Sequence, residues 1–309
     1  MKILVTGGAG FIGSNIVDAL IQGGYKAVVV DNLSSGRKTN INNKAKFYHA
    51  DIVDESGMSR IFKKEKPDAV IHCAAQIDVR KSVADPKYDA NINILGSINI
   101  LKACVENKTK KIIFSSSGGT IYGECGKKAP DENSFPNPLS PYGIAKHSVE
   151  NYIRFYGEIH GLKYTILRYG NVYGPRQDPK GEAGVIAIFA LRMLKNETVT
   201  IFGDGKQTRD YVYVSDVVAA NIKSLKKADN KIINIGTGQA VPLNSIAKSM
   251  AMLSKTDKKP VYQPKRDGEL FKSFLNNKKA AKLLNWKPKV KIAAGIKQTL
   301  EYFKRAEMK

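Results

Sequence analysis

A tyrosine and a lysine four residues apart are the side chains of this sequence best suited to catalysis. Tyr142 and Lys146 follow Ser140, a good helix N-cap, and Pro141, which suits the first helical position. A helix that begins here places the phenol and the ammonium one turn apart on the same face. The lysine cation favours the phenolate, so we expect the pKa of Tyr142 to fall below its usual ~10, toward that of a general base. The same spacing also occurs on ordinary amphipathic helices, so the rest of the chain must decide.

The elements that would position this pair begin with a nucleotide-binding pattern at the N-terminus. Gly7, Gly10 and Gly13 stand between a short apolar run and an amphipathic stretch. Glycines at these places permit a tight turn, close approach of the backbone to a pyrophosphate, and close packing of helix on strand. The pattern predicts a strand, a helix and a second strand, over 2–6, 14–22 and 26–30.

Asp31 stands at the end of the second predicted strand, where a carboxylate can accept hydrogen bonds from an adenosine ribose. The same charge repels a ribose 2′-phosphate, which favours NAD over NADP as the cofactor. Arg37 and Lys38 lie nearby and leave NADP open.

Strands and helices continue to alternate, which predicts an α/β fold with a doubly wound parallel sheet of the Rossmann type. Further strands are predicted at 46–49, 68–72, 111–114, 161–169 and 231–235, and helices at 54–64, 85–106, 185–195 and 216–225. Ala74 and Ala75 follow the predicted strand 68–72, where small residues would let a dinucleotide cross the sheet edge or would simply pack closely. Ser115, Ser116 and Ser117 follow the predicted strand 111–114, at the end of the sheet where folds of this kind bind ligands.

Composition limits the remaining classes of function. The chain has 309 residues, 42% of them hydrophobic, and a formal charge of +22 from 50 basic and 28 acidic residues. The lysines are scattered in short clusters without a nucleic-acid recognition motif, so the charge is interpreted as solvated surface. Three isolated cysteines and the lack of a signal peptide or a membrane-length apolar run predict a cytoplasmic protein without disulfides.

The chain resembles the extended short-chain dehydrogenase/reductase family, and within it the UDP-glucose 4-epimerases and their close relatives. The resemblance rests on the GxxGxxG turn, the serine-rich strand end, the Tyr-x-x-x-Lys pair, and three segments, 167–177, 181–186 and 209–212. It covers nearly the whole chain. It implies an NAD-binding Rossmann domain of 1–170 plus about 211–236, and a smaller nucleotide-sugar domain of 171–210 and 237–309.

The resemblance implies reversible epimerisation of a UDP-hexose at C4, as in galactose metabolism, through a 4-keto sugar and tightly bound NAD. It assigns catalysis to Tyr142, Lys146 and Ser117, which lies 25 positions before Tyr142, with Ser116 as the alternative hydroxyl. The implied cofactor residues are Gly7, Gly10, Phe11, Ile12, Gly13, Asp31, Asn32, Asp51, Ile52, Ala74, Ala75, Tyr142 and Lys146. The implied substrate residues are Ser117, Tyr142, Asn171, Val185, Arg209, Arg266, Glu269 and Ser273.

Two alternatives remain at this point. Nucleotide-sugar 4,6-dehydratases and decarboxylases of the same family place acids just after the catalytic hydroxyl, whereas this chain has Gly118 and Gly119 there. Without a second acid or base, elimination lacks its catalyst, which favours simple epimerisation. The other alternative, a basic NAD-binding regulatory or RNA-associated protein, has only the +22 charge to support it.

Three further expectations concern specificity and assembly. The resemblance aligns Ser273 with a bulky residue that excludes N-acetylated hexoses, so a serine leaves room for UDP-N-acetylglucosamine. The four histidines have no metal-ligand spacing, so no metal is expected. The predicted helices that begin near Asp85 and Tyr142 resemble those that pair in dimers of the family, which predicts a homodimer.

Overall fold

The computed structural model of the chain describes residues 1–179, 184–266 and 269–307. Its centre is a seven-stranded sheet in the order β11-β6-β5-β4-β1-β2-β3, in which every neighbouring pair is parallel. The doubly wound α/β fold expected from the sequence is confirmed. The strands of the chain are β1 (Lys2–Thr6), β2 (Lys26–Asp31), β3 (Lys46–His49), β4 (Ala69–His72), β5 (Lys111–Ser117), β6 (Lys163–Tyr169), β7 (Asn171–Tyr173), β8 (Thr200–Phe202), β9 (Thr208–Arg209), β10 (Tyr211–Tyr213), β11 (Lys231–Ile235), β12 (Val241–Pro242) and β13 (Val261–Gln263).

Helices cover both faces of this sheet and build most of the C-terminal part. They are α1 (Phe11–Gln22), α2 (Glu55–Glu65), α3 (Val79–Ala84), α4 (Pro86–Ala90), α5 (Gly96–Glu106), α6 (Gly118–Ile121), α7 (Pro141–His160), α8 (Val185–Leu194), α9 (Val214–Ser224), α10 (Leu243–Ser254), α11 (Lys278–Leu284) and α12 (Ile292–Glu307). Since side chains of a strand alternate between faces, Ile3 and Val5 enter one core layer and Leu4 the other.

The strand order reverses between β1 and β4, and a crevice above the carboxyl ends of the strands is the usual ligand site of such a sheet. Beside this sheet, β7 pairs with β10, β8 with β13, and β9 with β12. Helices α8, α10 and α12 pack against one another near these short strands. Among the described residues, no helix is long and apolar enough to cross a bilayer.

The structure differs from the sequence prediction at several elements. The helix predicted over 85–106 consists of α4, a π-helical stretch at Asn91–Leu95, and α5. The strand predicted to end at Phe114 continues to Ser117, so the three serines belong to β5. Helix α3 was not predicted, because its six residues are too few to display a helical period.

Candidate active site

The start of α7 fixes the orientation of the catalytic pair. Ser140 Oγ accepts a hydrogen bond from Gly143 N at 3.2 Å, and Ser82 Oγ of α3 accepts one from Tyr142 N at 3.2 Å. Two of the amides that a helix start leaves unpaired are therefore satisfied. Tyr142 and Lys146 share one face, with Lys146 Nζ 5.8 Å from the centre of the Tyr142 ring. The helix start predicted from the sequence is confirmed.

Lys146 is 4% exposed and lies against the carboxyl end of β5. Its ammonium donates a hydrogen bond to Ser115 O at 3.0 Å and lies 4.7 Å from the centre of the Phe114 ring. Burial lowers the pKa of Lys146 to about 8, although negative charge at Cys73, Asp89 and Glu150 opposes the shift.

The expectation that Lys146 lowers the pKa of Tyr142 is wrong for the ligand-free chain. Burial raises the pKa of the Tyr142 phenol well above its ordinary value, and the negative charge of Asp89 raises it further. The reason is that taking a phenolate out of water is costly, and the repulsion by Asp89 adds to that cost. The phenol is therefore protonated at neutral pH.

Replacing Lys146 with methionine will test the burial of this cation. Below pH 8 the lysine is charged in the folded and in the unfolded protein, so the folded protein bears the full cost of the buried charge. Between the folded pKa of about 8 and the unfolded value of 10.5, only the folded state loses its proton, so wild-type stability rises with pH. Relative to Lys146→Met, the free energy of unfolding of wild type should rise by roughly 3 kcal/mol across this window, as urea denaturation will measure. A difference that stays flat with pH would contradict the assignment.

A buried polar cluster beside the pair was missed by the sequence analysis. Asp89 is 1% exposed, and its Oδ1 accepts hydrogen bonds from Gln76 Nε2 and Asn93 Nδ2, both at 2.9 Å. Asn93 Oδ1 accepts a hydrogen bond from Gln76 N, and Asn93 Nδ2 donates one to Gln76 O, both at 2.9 Å. These two bonds fix the segment after β4. Asp89 and Asn93 are polar residues four apart on the buried face of a helical pattern, and this was the available signal.

Ser116 and Ser117, the two alternatives for the catalytic hydroxyl, have different surroundings. Ser116 is 3% exposed and donates a hydrogen bond to Glu150 Oε1 at 2.6 Å, so its hydroxyl is committed to the protein interior. Ser117 is partly exposed at the end of β5. The contacts favour Ser117 over Ser116.

Gly119 marks the place where three candidate side chains converge. A Cβ built on Gly119 would lie 3.6 Å from Asn171 Oδ1 and 3.9 Å from both Ser117 Oγ and Ser273 Oγ. These atoms come from three distant segments of the chain, yet all lie within 4 Å of one point. They form a polar concavity suited to the hydroxyl groups of a sugar.

A buried ion pair fastens α7 to the sheet behind the site. Glu150 lies one turn after Lys146, and its Oε1 accepts a hydrogen bond from Arg168 Nε of β6 at 2.9 Å. Arg168 Nη1 donates to Tyr122 Oη at 2.8 Å, and Tyr122 donates to Asn234 Oδ1 at 2.9 Å. This chain of contacts, together with the bond to Ser116, sets the height of α7 above the ends of β5 and β6.

The residues expected to bind the nucleotide are all in the part of the chain that begins with β7. Arg209 Nη2 pairs with Glu269 Oε1 at 3.4 Å, and the Arg266 guanidinium lies 3.5 Å from the centre of the Phe202 ring. Val185 is the first residue of α8. Residues 181–183 of the family-like segment 181–186, and residues 267–268 of the Arg266 motif, lie outside the described residues. Phe202 was not predicted, since one aromatic residue in a short strand carries no signal for a ligand.

A cavity of about 360 Å³ lies above the ends of β1, β2 and β4, and Ser115, whose carbonyl oxygen accepts the hydrogen bond from Lys146, is among its lining residues. It is lined by every residue assigned to the cofactor except Tyr142 and Lys146, namely Gly7, Gly10, Phe11, Ile12, Gly13, Asp31, Asn32, Asp51, Ile52, Ala74 and Ala75.

The shape and charge of this cavity fit a dinucleotide. A Cβ on Gly13 would lie 2.1 Å from Gly7 O, so only glycine allows α1 to pack this closely. The N-terminus of α1 has no side-chain cap and no acid in its first turn, which leaves its amides and positive dipole end for an anion. Arg176 also lines the cavity and was not predicted. A pyrophosphate suits this combination.

Asp31, which the sequence pattern assigns to the adenosine ribose, lines the same cavity. Its Oδ2 accepts a hydrogen bond from Ala9 N at 2.9 Å, and its Oδ1 accepts one from Leu33 N at 2.8 Å. Arg37, which left NADP open, pairs with Asp178 at 3.0 Å. The carboxylate is thus fixed where a 2′-phosphate would be repelled.

Of the cysteines, Cys73 lines this cavity, whereas His72 is held inside the core. His72 Nε2 lies 2.9 Å from Ser97 Oγ and its Nδ1 lies 2.6 Å from Thr6 Oγ1, and burial lowers its pKa to about 3. Within the ranges that the structure describes, no group of three His, Cys, Asp or Glu residues could hold a metal ion. Cys73, Cys104 and Cys125 are free thiols.

Comparisons with known proteins identify relatives along the whole chain. Residues 3–236 match the family model described as the NAD dependent epimerase/dehydratase family. Among solved structures, UDP-glucose 4-epimerase from Thermotoga maritima, in complex with UDP-glucose, is 53% identical with a TM-score of 0.98, covering 99% of this chain and 100% of that one. The UDP-glucose 4-epimerase of Thermus thermophilus, in complex with NAD, is 43% identical with a TM-score of 0.95, covering 99% and 100%.

A third solved structure is the UDP-N-acetylglucosamine 4-epimerase of Methanobrevibacter ruminantium, in complex with UDP-N-acetylmuramic acid. It is 36% identical to this chain with a TM-score of 0.93, and the match covers 99% of this chain and 98% of that one.

Proposed function

Because the chain belongs to the NAD dependent epimerase/dehydratase family, we propose that it interconverts UDP-galactose and UDP-glucose, a reaction of galactose metabolism, by inverting C4 with tightly bound NAD. The observation that carries this proposal is that Lys146, which shares a helix face with Tyr142, bonds Ser115 at the edge of a cavity that fits a dinucleotide. Ser117, two residues further along β5, belongs to a polar concavity around Gly119. The similarity to UDP-glucose 4-epimerases over 99% of the chain supports it.

The first chemical task of the chain is to remove a proton from the sugar O4. Tyr142 is the general base for this proton, and the Ser117 hydroxyl orients O4 or relays the proton. Lys146 holds a ribose hydroxyl of the cofactor and favours the Tyr142 phenolate by its charge. NAD⁺, held by the residues that line the cavity, would supply the acceptor for the C4 hydride and its donor on return.

The second task is to let the 4-keto sugar present its other face while the nucleotide stays bound. Asn171, Ser117 and Ser273 surround the hexose with hydrogen-bonding groups that either orientation can use. Arg209 and Arg266 bind the pyrophosphate, since two guanidinium groups suit its charge and geometry. Glu269 pairs with Arg209 and thereby holds the direction of its guanidinium group.

The cofactor is NAD rather than NADP. Asp31 is held by two backbone amides and lines the cavity. Arg37 is engaged by Asp178, which leaves the carboxylate of Asp31 as the dominant charge toward a ribose 2′-substituent.

The two glycines after Ser117 bear on the competing elimination reaction. A Cβ on Gly118 would lie 2.7 Å from both Leu275 methyl carbons, whereas a Cβ on Gly119 meets no atom closer than 3.6 Å. An acid at position 118 is thus excluded by Leu275, and the space at 119 belongs to the substrate. Neither position supplies the second acid or base that dehydration needs.

Alanine at Gly118 should affect the stability of the protein, whereas alanine at Gly119 should affect its activity. Gly118→Ala must displace Leu275 and should cost about 1–3 kcal/mol of stability, because overpacking strains a tight core. Gly119→Ala should leave the free energy of unfolding within about 0.5 kcal/mol of wild type but lower kcat/KM for UDP-galactose, because the methyl group projects among the sugar-binding atoms. Urea denaturation and steady-state kinetics measure the two effects. If Gly119→Ala keeps its kcat/KM, the sugar does not bind at this concavity.

The pocket also accepts the N-acetylated pair of substrates. Ser273 contributes a small hydroxyl to the concavity, and the relative from Methanobrevibacter ruminantium is a UDP-N-acetylglucosamine 4-epimerase.

The NAD-binding part comprises 1–170 and 211–236, and the nucleotide-sugar part 171–210 and 237–309. The course of the seven-stranded sheet, which ends with β11, supports this division.

The chain functions as a homodimer through an apolar face of α7 and its neighbouring helix. Tyr152, Phe155 and Ile159 form an exposed stripe on α7, at spacings of three and four residues. Leu95 is exposed on the adjoining π-helical stretch that packs on α7. A second copy of the same face would cover these side chains. Light scattering should give twice the chain mass for wild type and a monomer for Phe155→Glu, and a monomeric wild type at micromolar concentration would refute the dimer.

The decisive experiment is incubation of the purified protein with UDP-galactose, and separately with UDP-N-acetylgalactosamine, with and without added NAD. The expected products are the 4-epimers, identified by chromatography and mass spectrometry. Dehydrated or decarboxylated products would overturn the proposed reaction. Conversion of UDP-galactose alone would overturn only the acceptance of N-acetylated sugars.

A further inference from the structure

Asp210 is a buried carboxylate between β9 and β10 to which the reaction itself assigns no role. It is 1% exposed, and its side chain accepts four hydrogen bonds. Oδ1 accepts from Thr237 N at 2.7 Å and from Thr237 Oγ1 at 2.6 Å. Oδ2 accepts from Gly238 N at 3.0 Å and from Leu275 N at 3.2 Å. Both oxygens are therefore fully used.

The segment Gly236-Thr237-Gly238, which follows β11, is shaped around this carboxylate. A Cβ on Gly236 would lie 2.4 Å from Asp210 Oδ2, so any larger residue would exclude the side chain of Asp210. Gly238 has φ +78°, a conformation that turns its amide toward Oδ2 and that other residues rarely adopt. We call these three residues the glycine socket.

The main chain around Asp210 leads directly to three substrate residues. Arg209 is its neighbour in sequence, and Asp210 O accepts a hydrogen bond from Asn171 N at 2.7 Å. Leu275, held by Oδ2, follows Ser273 by two residues, and Ser273 N donates to Thr208 O at 3.2 Å. A displacement of Asp210 would therefore move Arg209, Asn171 and Ser273 together.

We propose that Asp210, seated in the glycine socket, is a positioning residue that sets the sugar-nucleotide pocket by fixing Arg209, Asn171 and Ser273 relative to one another. The inference rests on the proposed function, because it takes those three residues to bind a uridine diphosphate sugar. Asp210 touches neither substrate nor cofactor. Its effect reaches the ligand through the backbone segments that it joins.

Asp216 offers a comparison for a purely structural role. It is also buried, at 4% exposure, and its Oδ2 accepts hydrogen bonds from Lys289 N and Val290 N, both at 3.0 Å. Those contacts hold the segment before α12, which contains none of the residues assigned to the candidate pocket. If Asp210 served stability alone, substitutions at the two positions would have the same kind of effect.

The test is Asp210→Asn, which keeps the size of the side chain but leaves one carbonyl oxygen to accept hydrogen bonds. At least one backbone amide of the socket then faces an NH₂ group, and the segments separate. The KM for UDP-galactose and the Kd for UDP, measured by calorimetry, should each rise about tenfold or more, because buried donors lose their partner. The kcat should stay within about threefold of wild type, and the Kd for NAD should not change, because the cofactor cavity lies on other strands.

Two further variants keep the result decisive. Asp216→Asn should lower the melting temperature without changing the KM or the Kd for UDP. Thr237→Val removes one hydroxyl donor and keeps the fold. It should raise the KM for UDP-galactose and the Kd for UDP, but by less than Asp210→Asn does. If Asp210→Asn does not fold, Thr237→Val alone tests the inference. Wild-type constants in Thr237→Val and in any folded Asp210→Asn would overturn the inference. A wild-type protein that binds UDP but does not epimerise would overturn the proposed function instead.

Discussion

Replacement of Tyr142 by phenylalanine is expected to lower the rate of epimerisation by about 10²-fold or more, because it removes the phenol that we propose as the general base for the O4 proton. The loss should appear in kcat, since phenylalanine keeps the bulk of the ring and the sugar-binding atoms around Gly119 are untouched. Steady-state kinetics with UDP-galactose will measure it.

The fold should tolerate this substitution. Within the described part of the chain, the Tyr142 hydroxyl has no hydrogen-bonding partner in the protein, so its removal leaves no buried group unpaired. Tyr152→Phe, on the exposed face of the same helix, serves as the matched control and should keep wild-type turnover. If Tyr142→Phe turns over at the wild-type rate, Tyr142 is not the base.

Replacement of Arg168 by methionine is expected to destabilise the protein by about 3–5 kcal/mol, because it leaves the Glu150 carboxylate buried without its cation. Arg168 is 2% exposed and Glu150 is 1% exposed, so water cannot replace the lost partner. Although burial raises the pKa of Glu150, its hydrogen bonds to Arg168 hold that pKa below the ordinary value. Urea denaturation will measure the loss of stability.

A second substitution separates the unpaired charge from the other contacts of the pair. Glu150→Gln in the Arg168→Met background removes the charge and keeps an acceptor for the Ser116 hydroxyl. The double variant should recover part of the lost stability, since a neutral amide costs less to bury than a carboxylate. Equal stability of the single and double variants would mean that Arg168 acts mainly through packing and through Tyr122.

Local patterns were enough to predict the large sheet and the start of α7. Alternating strands and helices, the glycines near the N-terminus, and the Ser140-Pro141 signal each depend on residues close in sequence. The same local signals predicted part of the cavity lining, at Gly7, Gly10, Gly13 and Asp31, and the family resemblance implied the remaining cofactor residues.

Contacts between distant segments were beyond the reach of sequence patterns. No local pattern brings Ser117, Asn171 and Ser273 around Gly119, because their meeting depends on how the C-terminal part folds back; only the family resemblance assigned them to the substrate. The pKa of Tyr142 was predicted in the wrong direction for a related reason. The spacing to Lys146 was visible, but the burial of the phenol and the charge of Asp89 were not.

The Leu275 side chain, which occupies the space beside Gly118, also limits how this protein could evolve. A mutation that introduced an acid at position 118 would be selected against at once, since it would disturb the core before any new reaction could benefit the cell. A smaller residue at 275 would have to appear first, as a neutral or slightly harmful step. The route from this active site to elimination chemistry therefore has an order of mutations imposed by packing.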